Sequence, residues 1–113
     1  MGEKSYSYVY KMKNDDIVLF QKLETRTAFG VDSIEIGNDI FLVFAYLYGN
    51  RDGATSDVFK WHGGRFEKDH QIPVTGTDVD AFEIEGNHYA AIVGKILEYP
   101  SLLTQTGAVK IAE

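Results

Sequence analysis

The chain repeats itself, and the repeat limits its possible folds more than any other feature. At a separation of 49, Val9-Tyr10-Lys11-Met12 matches Val58-Phe59-Lys60-Trp61, Ile17 matches Phe66, and Leu23 matches Ile72. At a separation of 48, Thr27, Asp32, Ile34, Ile36 and Phe41 match Thr75, Asp80, Phe82, Ile84 and Tyr89. Apolar residues recur at apolar positions and turn residues at turn positions. The chain therefore reads as two tandem copies of one supersecondary unit, which must cover its greasy faces against a neighbour. The copies fall at about residues 8–47 and 57–96 of a single domain spanning 1–113, with a tail at 97–113.

The period within each copy is that of strands. Residues 6–12 put Tyr6, Tyr8, Tyr10 and Met12 on one face, and Asn14-Asp15-Asp16 supplies a turn before residues 17–23. Residues 31–36 and 40–47 flank Gly37-Asn38-Asp39. Residues 58–61 and 65–72 flank His62-Gly63-Gly64, and residues 79–84 and 88–96 flank Glu85-Gly86-Asn87. No stretch of helical length keeps a 3.6-residue period, and eleven Gly against two Pro suit many short strands with tight turns. The expected fold is all-β, built of hairpins. Residues 107–111 predict either the start of a third copy or a strap on a sheet edge.

Several function classes fall away on composition. A formal charge of −6 gives no electrostatic reason to approach a phosphate backbone, so nucleic acid is not an expected partner. No apolar run approaches the ~20 residues of a membrane span, so no membrane insertion is expected. Zero cysteines remove disulfides, thiolate zinc sites and cysteine nucleophiles. No nucleophile elbow, phosphate loop or dinucleotide fingerprint is present. His62, His70 and His88 lack metal-ligand spacing, and the acidic residues around Glu83 and Glu85 read as a solvated strand face. No catalytic residues are assigned.

The run Val58-Phe59-Lys60-Trp61, Arg65-Phe66, Gln71-Ile72-Pro73-Val74-Thr75-Gly76-Thr77, Asp80-Ala81-Phe82-Glu83-Ile84 and Asn87-His88-Tyr89-Ala90-Ala91-Ile92 resembles the EAR repeat, also called the epitempin or EPTP repeat. Val9-Tyr10-Lys11-Met12, Phe20-Gln21-Lys22-Leu23, Ala28, Ile34-Glu35-Ile36-Gly37 and Phe41-Leu42-Val43 echo it, so the resemblance covers about residues 8–96. Met12 stands where the family usually has Trp. The resemblance implies a β-propeller of four-stranded antiparallel blades, extracellular, binding proteins without catalysis. Zero cysteines and no visible leader leave a cytoplasmic setting open as well.

If the inner strand of each blade follows the long connector, residues 31–36 and 79–84 are inner strands. The chain then holds an outer pair, one whole blade and an inner pair. Two blades cannot close a ring of at least about four, so head-to-tail homo-oligomerisation is expected, with terminal half-blades completing one another as in a six-bladed trimer. A self-contained β-sandwich or barrel, or a piece of a longer array, are the alternatives.

Candidate binding residues follow from this frame. Trp61 with Phe59, Phe66 and Lys60 offers an aromatic platform for a sugar ring or a peptide, although an aromatic at a repeat position is more commonly core. Tyr46, Tyr48, Asn50 and Arg51, with Asp52, lie at the longest loop, where interface anchors tend to sit. Asp32, Asp78 and Asp80 would gather around a central channel if a ring closed and there suit Ca²⁺; the plainer reading is local bonding to backbone N–H groups. No other cofactor is expected. The partner is a protein ligand or, if the module is a multivalent lectin with a pocket in each copy, a glycan.

Overall fold

The computed structural model describes residues 4–93 and 108–112. Among these described residues nine strands follow one another: β1 (Lys4–Lys13), β2 (Asp16–Arg26), β3 (Ala28–Ile36), β4 (Asp39–Tyr46), β5 (Ser56–His62), β6 (Arg65–Ile72), β7 (Asp78–Ile84), β8 (Asn87–Val93) and β9 (Ala108–Ala112). They form three antiparallel sheets ordered β1-β2, β3-β4-β5-β6 and β7-β8-β9. Two-residue turns set the hairpin registers. Both central residues have positive φ at Asn14-Asp15, Gly63-Gly64 and Glu85-Gly86, a geometry whose twist matches that of the flanking strands.

The pairing repeats as the sequence does. All six pairs from Val31↔Phe44 to Ile36↔Asp39 recur 48 residues later, from Val79↔Ile92 to Ile84↔Asn87. The outer hairpins share a register at a spacing of 49, and the irregularity between Val9 and Tyr10 recurs between Val58 and Phe59. Sheet propagation extends the pattern to β9. Leu42 faces Phe59 and Val43 faces Val58, just as Ala90 faces Val109 and Ala91 faces Ala108. The expected inner pair is therefore three-stranded, and β9 (Ala108–Ala112), which overlaps the segment expected at 107–111, supplies the third strand.

The sheets stack face to face, and each interface is an apolar layer. Leu23, Phe44, Tyr46, Phe59 and Phe66, with Val9 and Trp61 against them, fill the layer between the two-stranded and four-stranded sheets. Ile34, Phe41, Val43, Val58, Ile72, Val79, Ala90 and Ile92 fill the next. Alternation drives this layering, because a strand with apolar residues on both faces of its sheet needs cover on both.

Strands β3 and β7 run side by side in the same direction and approach closely. The Asp32 carboxylate accepts from the Ala81 N–H across the layer at 2.7 Å and from its neighbour Ser33 N–H at 2.8 Å. A Cβ on Gly30 would lie 2.9 Å from the Asp78 Cα and 3.2 Å from the Thr77 carbonyl oxygen. Backbone cannot yield as a side-chain tip can, so Gly30→Ala is expected to cost about 1–3 kcal/mol. Thermal denaturation of the variant measures this loss, and an unchanged melting temperature contradicts the close approach.

Candidate recognition surface

In the four-stranded sheet the tight turns at 37–38 and 63–64 lie at one end and the long connector at 47–55 lies at the other. This connector is anchored from beneath. Asn50 and Gly53 form a bridge, with Asn50 N–H donating to the Gly53 carbonyl at 2.9 Å. Arg51 and Asp52 form its exposed tip, and Tyr48 stands exposed beside it. Gly49 turns with φ +79°, and a Cβ there would sit 2.5 Å from the Gly53 carbonyl oxygen, so only glycine fits.

The anchor is a buried polar cluster on Asp57, which is 0% exposed. The Tyr46 hydroxyl donates to Asp57 Oδ2 at 2.9 Å, Lys68 Nζ lies 3.2 Å from the same oxygen, and Asn50 Nδ2 donates to Asp57 Oδ1 at 3.1 Å. Asn50 Nδ2 also donates to Thr55 Oγ1 at 2.9 Å. Ser56 Oγ accepts from the Tyr46 N–H and donates to the Val74 carbonyl, while the Gly76 N–H donates to the Tyr46 carbonyl. Burial, and secondarily the Asp57 carboxylate, pushes the Tyr46 phenol well above its usual range.

These contacts divide the loop residues expected as anchors. Tyr46 and Asn50 are buried, and the Tyr46 hydroxyl and Asn50 Nδ2 are engaged on Asp57, where they support the loop. Tyr48, Arg51 and Asp52 face solvent. The cluster partners Asp57 and Lys68 were not anticipated. A sign was available, because Asp57 sits where the other copy has Tyr8, a polar residue breaking the matched pattern.

Of the expected aromatic platform, Trp61 and Phe66 come together, and Phe59 and Lys60 do not join them. Phe59 is buried edge-on to Phe44 at 5.4 Å. Lys60 points to the opposite face, over Phe41 at 5.7 Å and 3.9 Å from Asp39. Trp61 instead stacks on Phe20 of β2 at 5.7 Å and meets Phe66 edge-on at 5.1 Å, with Lys11 over Phe20. Its ring is committed to joining two sheets.

Among the candidate calcium ligands, Asp32 is held by the backbone bonds given above, and Asp78 accepts from the Val79 N–H at 2.9 Å. Asp80 is exposed. Among the described residues no group of three or more His, Asp and Glu is placed to hold a metal ion. His70 pairs with Asp69 at 2.7 Å near the surface. No helix among the described residues is long and apolar enough to cross a membrane.

A second surface lies beside β1, whose outer edge has no strand on it among the described residues. There a groove of about 610 Å³ opens between Tyr8, Val9 and Tyr10 on one side and Phe29, Val31 and Leu42 on the other. Tyr6, Tyr10, Met12, Ile17 and Leu19 are exposed on the outer face of the same hairpin.

Stacked antiparallel sheets with polar loops over apolar layers define an all-β protein whose sheets are compatible with propeller blades. The EPTP domain profile matches residues 18–62, consistent with an EPTP repeat over that segment, from within β2 to the end of β5. The matched unit straddles two sheets, and β6 to β9 follow in the same order. No curated protein and no solved structure gave a significant match.

Proposed function

We propose that the chain is a non-catalytic recognition module, acting outside the cell, that binds a polypeptide partner through the connector at 47–55. The observation that carries this reading is the contrast within that loop. Buried Asn50, Asp57 and Tyr46 hold its base rigidly, while Tyr48 and Arg51, residue types that dominate interface energetics, stand free at its surface. A loop ordered before binding loses less entropy when it binds. The EPTP match supports the same class, since it points to a propeller-type repeat without catalysis. Trp61 stacked within its own chain does not favour the lectin reading.

The test is parallel binding of the full chain to an array of folded extracellular domains and to a glycan array. Binding to a polypeptide should weaken by about ten-fold or more in Tyr48→Ala and in Arg51→Ala, with melting temperatures unchanged. Wild-type affinity in both variants removes the loop from the site, and glycan binding inhibited by free sugar replaces the proposal with a lectin.

A further inference from the structure

The end sheets are incomplete in complementary ways. In the middle of the stack, β3 and β4 lie on β7 and β8, and Val79 is 6% exposed. Its counterpart Val31, 48 residues earlier, is 53% exposed, and among the described residues no inner hairpin extends the two-stranded sheet over β3. The groove beside β1 is where that hairpin belongs. At the other end, Phe82 and Tyr89 stack at 5.5 Å on the outer face of β7-β8, in the positions whose counterparts Ile34 and Phe41 are buried between sheets. Among the described residues the third sheet also has no strand in the place that β6 holds in the second.

We propose that the groove receives a second copy of this chain: the partner's β7-β8 hairpin pairs through β8 with β1, displacing the partner's own β9. This rests on the blade-repeat reading above. The register argues for this occupant. Val9-Tyr10-Lys11 corresponds to Val58-Phe59-Lys60 on β5, and Ala108-Val109-Lys110 on β9 holds the same places against β8. Thus β9 stands in for β1. It is the weaker occupant, for it has five residues against ten and brings no further strand, whereas β1 brings β2. Strand exchange puts Tyr10 opposite the partner's Ala90, as Phe59 stands opposite Leu42.

The same arrangement covers the other bare features. Phe29 and Val31 meet the partner's Phe82 and Tyr89, and Tyr10, Met12 and Ile17 take the places Phe59, Trp61 and Phe66 hold in the complete sheet. The contact is head-to-tail and each copy adds two blades, so closure at about four to eight blades takes two to four copies. The ring carries several copies of the connector at 47–55 and gains avidity.

The absence of native cysteine makes crosslinking decisive. The full chain carrying Tyr10→Cys and Ala90→Cys, mildly oxidised, should yield covalent species at two to four times 12.7 kDa on a non-reducing gel, matched by the solution mass of the untreated wild type at high concentration. Val109→Pro, which weakens β9, should increase assembly. A second pair, Ala90→Cys with Val109→Cys, should close within one chain. If that control closes while Tyr10→Cys/Ala90→Cys and the wild type both stay monomeric at high concentration, the groove belongs to a different polypeptide and self-assembly is overturned with the blade reading intact. If neither pair closes, the blade register itself falls and the assembly with it.

Discussion

Asp57→Ala should lower the stability of the chain by about 3 kcal/mol, which for a domain of this size is a fall of about 12 °C in melting temperature. The carboxylate is fully buried and takes hydrogen bonds from Tyr46 and Asn50 as well as the Lys68 ammonium. Lys68 is 46% exposed and can turn to water, so its loss counts little. Tyr46 and Asn50 cannot turn away, and each buried donor left unpaired costs about 1–3 kcal/mol. Asp57→Asn preserves the shape and one acceptor, so it should cost roughly half as much. Tyr46 adds a pH signature. Its phenol is held neutral in the fold by burial first and by Asp57 second. A raised folded pKa means that the native state keeps its proton where the unfolded chain releases it. The associated stability is therefore fully present below about pH 10 and falls above that by up to about 1.4 kcal/mol per pH unit. Urea denaturation from pH 8 to 11.5 should show this decline in the wild type and a flatter profile in Tyr46→Phe. Identical profiles in the two would remove Tyr46 from the cause.

The hairpins were legible because two independent signals coincide at each. Alternation marks the strands, and Asn14-Asp15, Gly63-Gly64 and Glu85-Gly86 mark the turns with residues at positive φ. The repeat added phase, and the registers keep it. β9 is less legible, because five residues with alanine at each end carry little pattern and no two-residue turn joins them to their partner β8. The site was less legible. Alternation already puts Lys60 on the face opposite Phe59 and Trp61, so a platform of all three conflicts with the strand period itself. The burial of Tyr46 and Asn50 is hidden from the sequence for a different reason. A tyrosine or asparagine at a loop is outward or inward according to whether an acceptor waits inside, and that acceptor, Asp57, is brought to them only by the pairing of β4 with β5. The groove beside β1 depends on which strands are missing from a sheet, and composition carries no trace of that.

Equivalent positions in different surroundings give the sharpest contrast. Phe59 and Tyr10 occupy the same register place in successive sheets, yet Phe59 is 4% exposed and Tyr10 57%. Phe59→Ala opens a cavity beside Phe44 and Phe66 and should cost about 3–5 kcal/mol, enough to unfold much of a marginal domain. Tyr10→Ala removes a ring that is mostly in water already, so in dilute solution its cost should stay within about 0.5 kcal/mol. The same ring is buried when β1 pairs with a second copy. Burying it there contributes about 2 kcal/mol, so Tyr10→Ala should weaken assembly by roughly 30-fold while leaving the monomer intact. Urea denaturation at low concentration and mass measurement across a concentration series separate the two effects. A large loss of monomer stability in Tyr10→Ala would mean that the outer face of β1-β2 is covered within a single chain, and the exposed face on which the strand exchange depends would not exist.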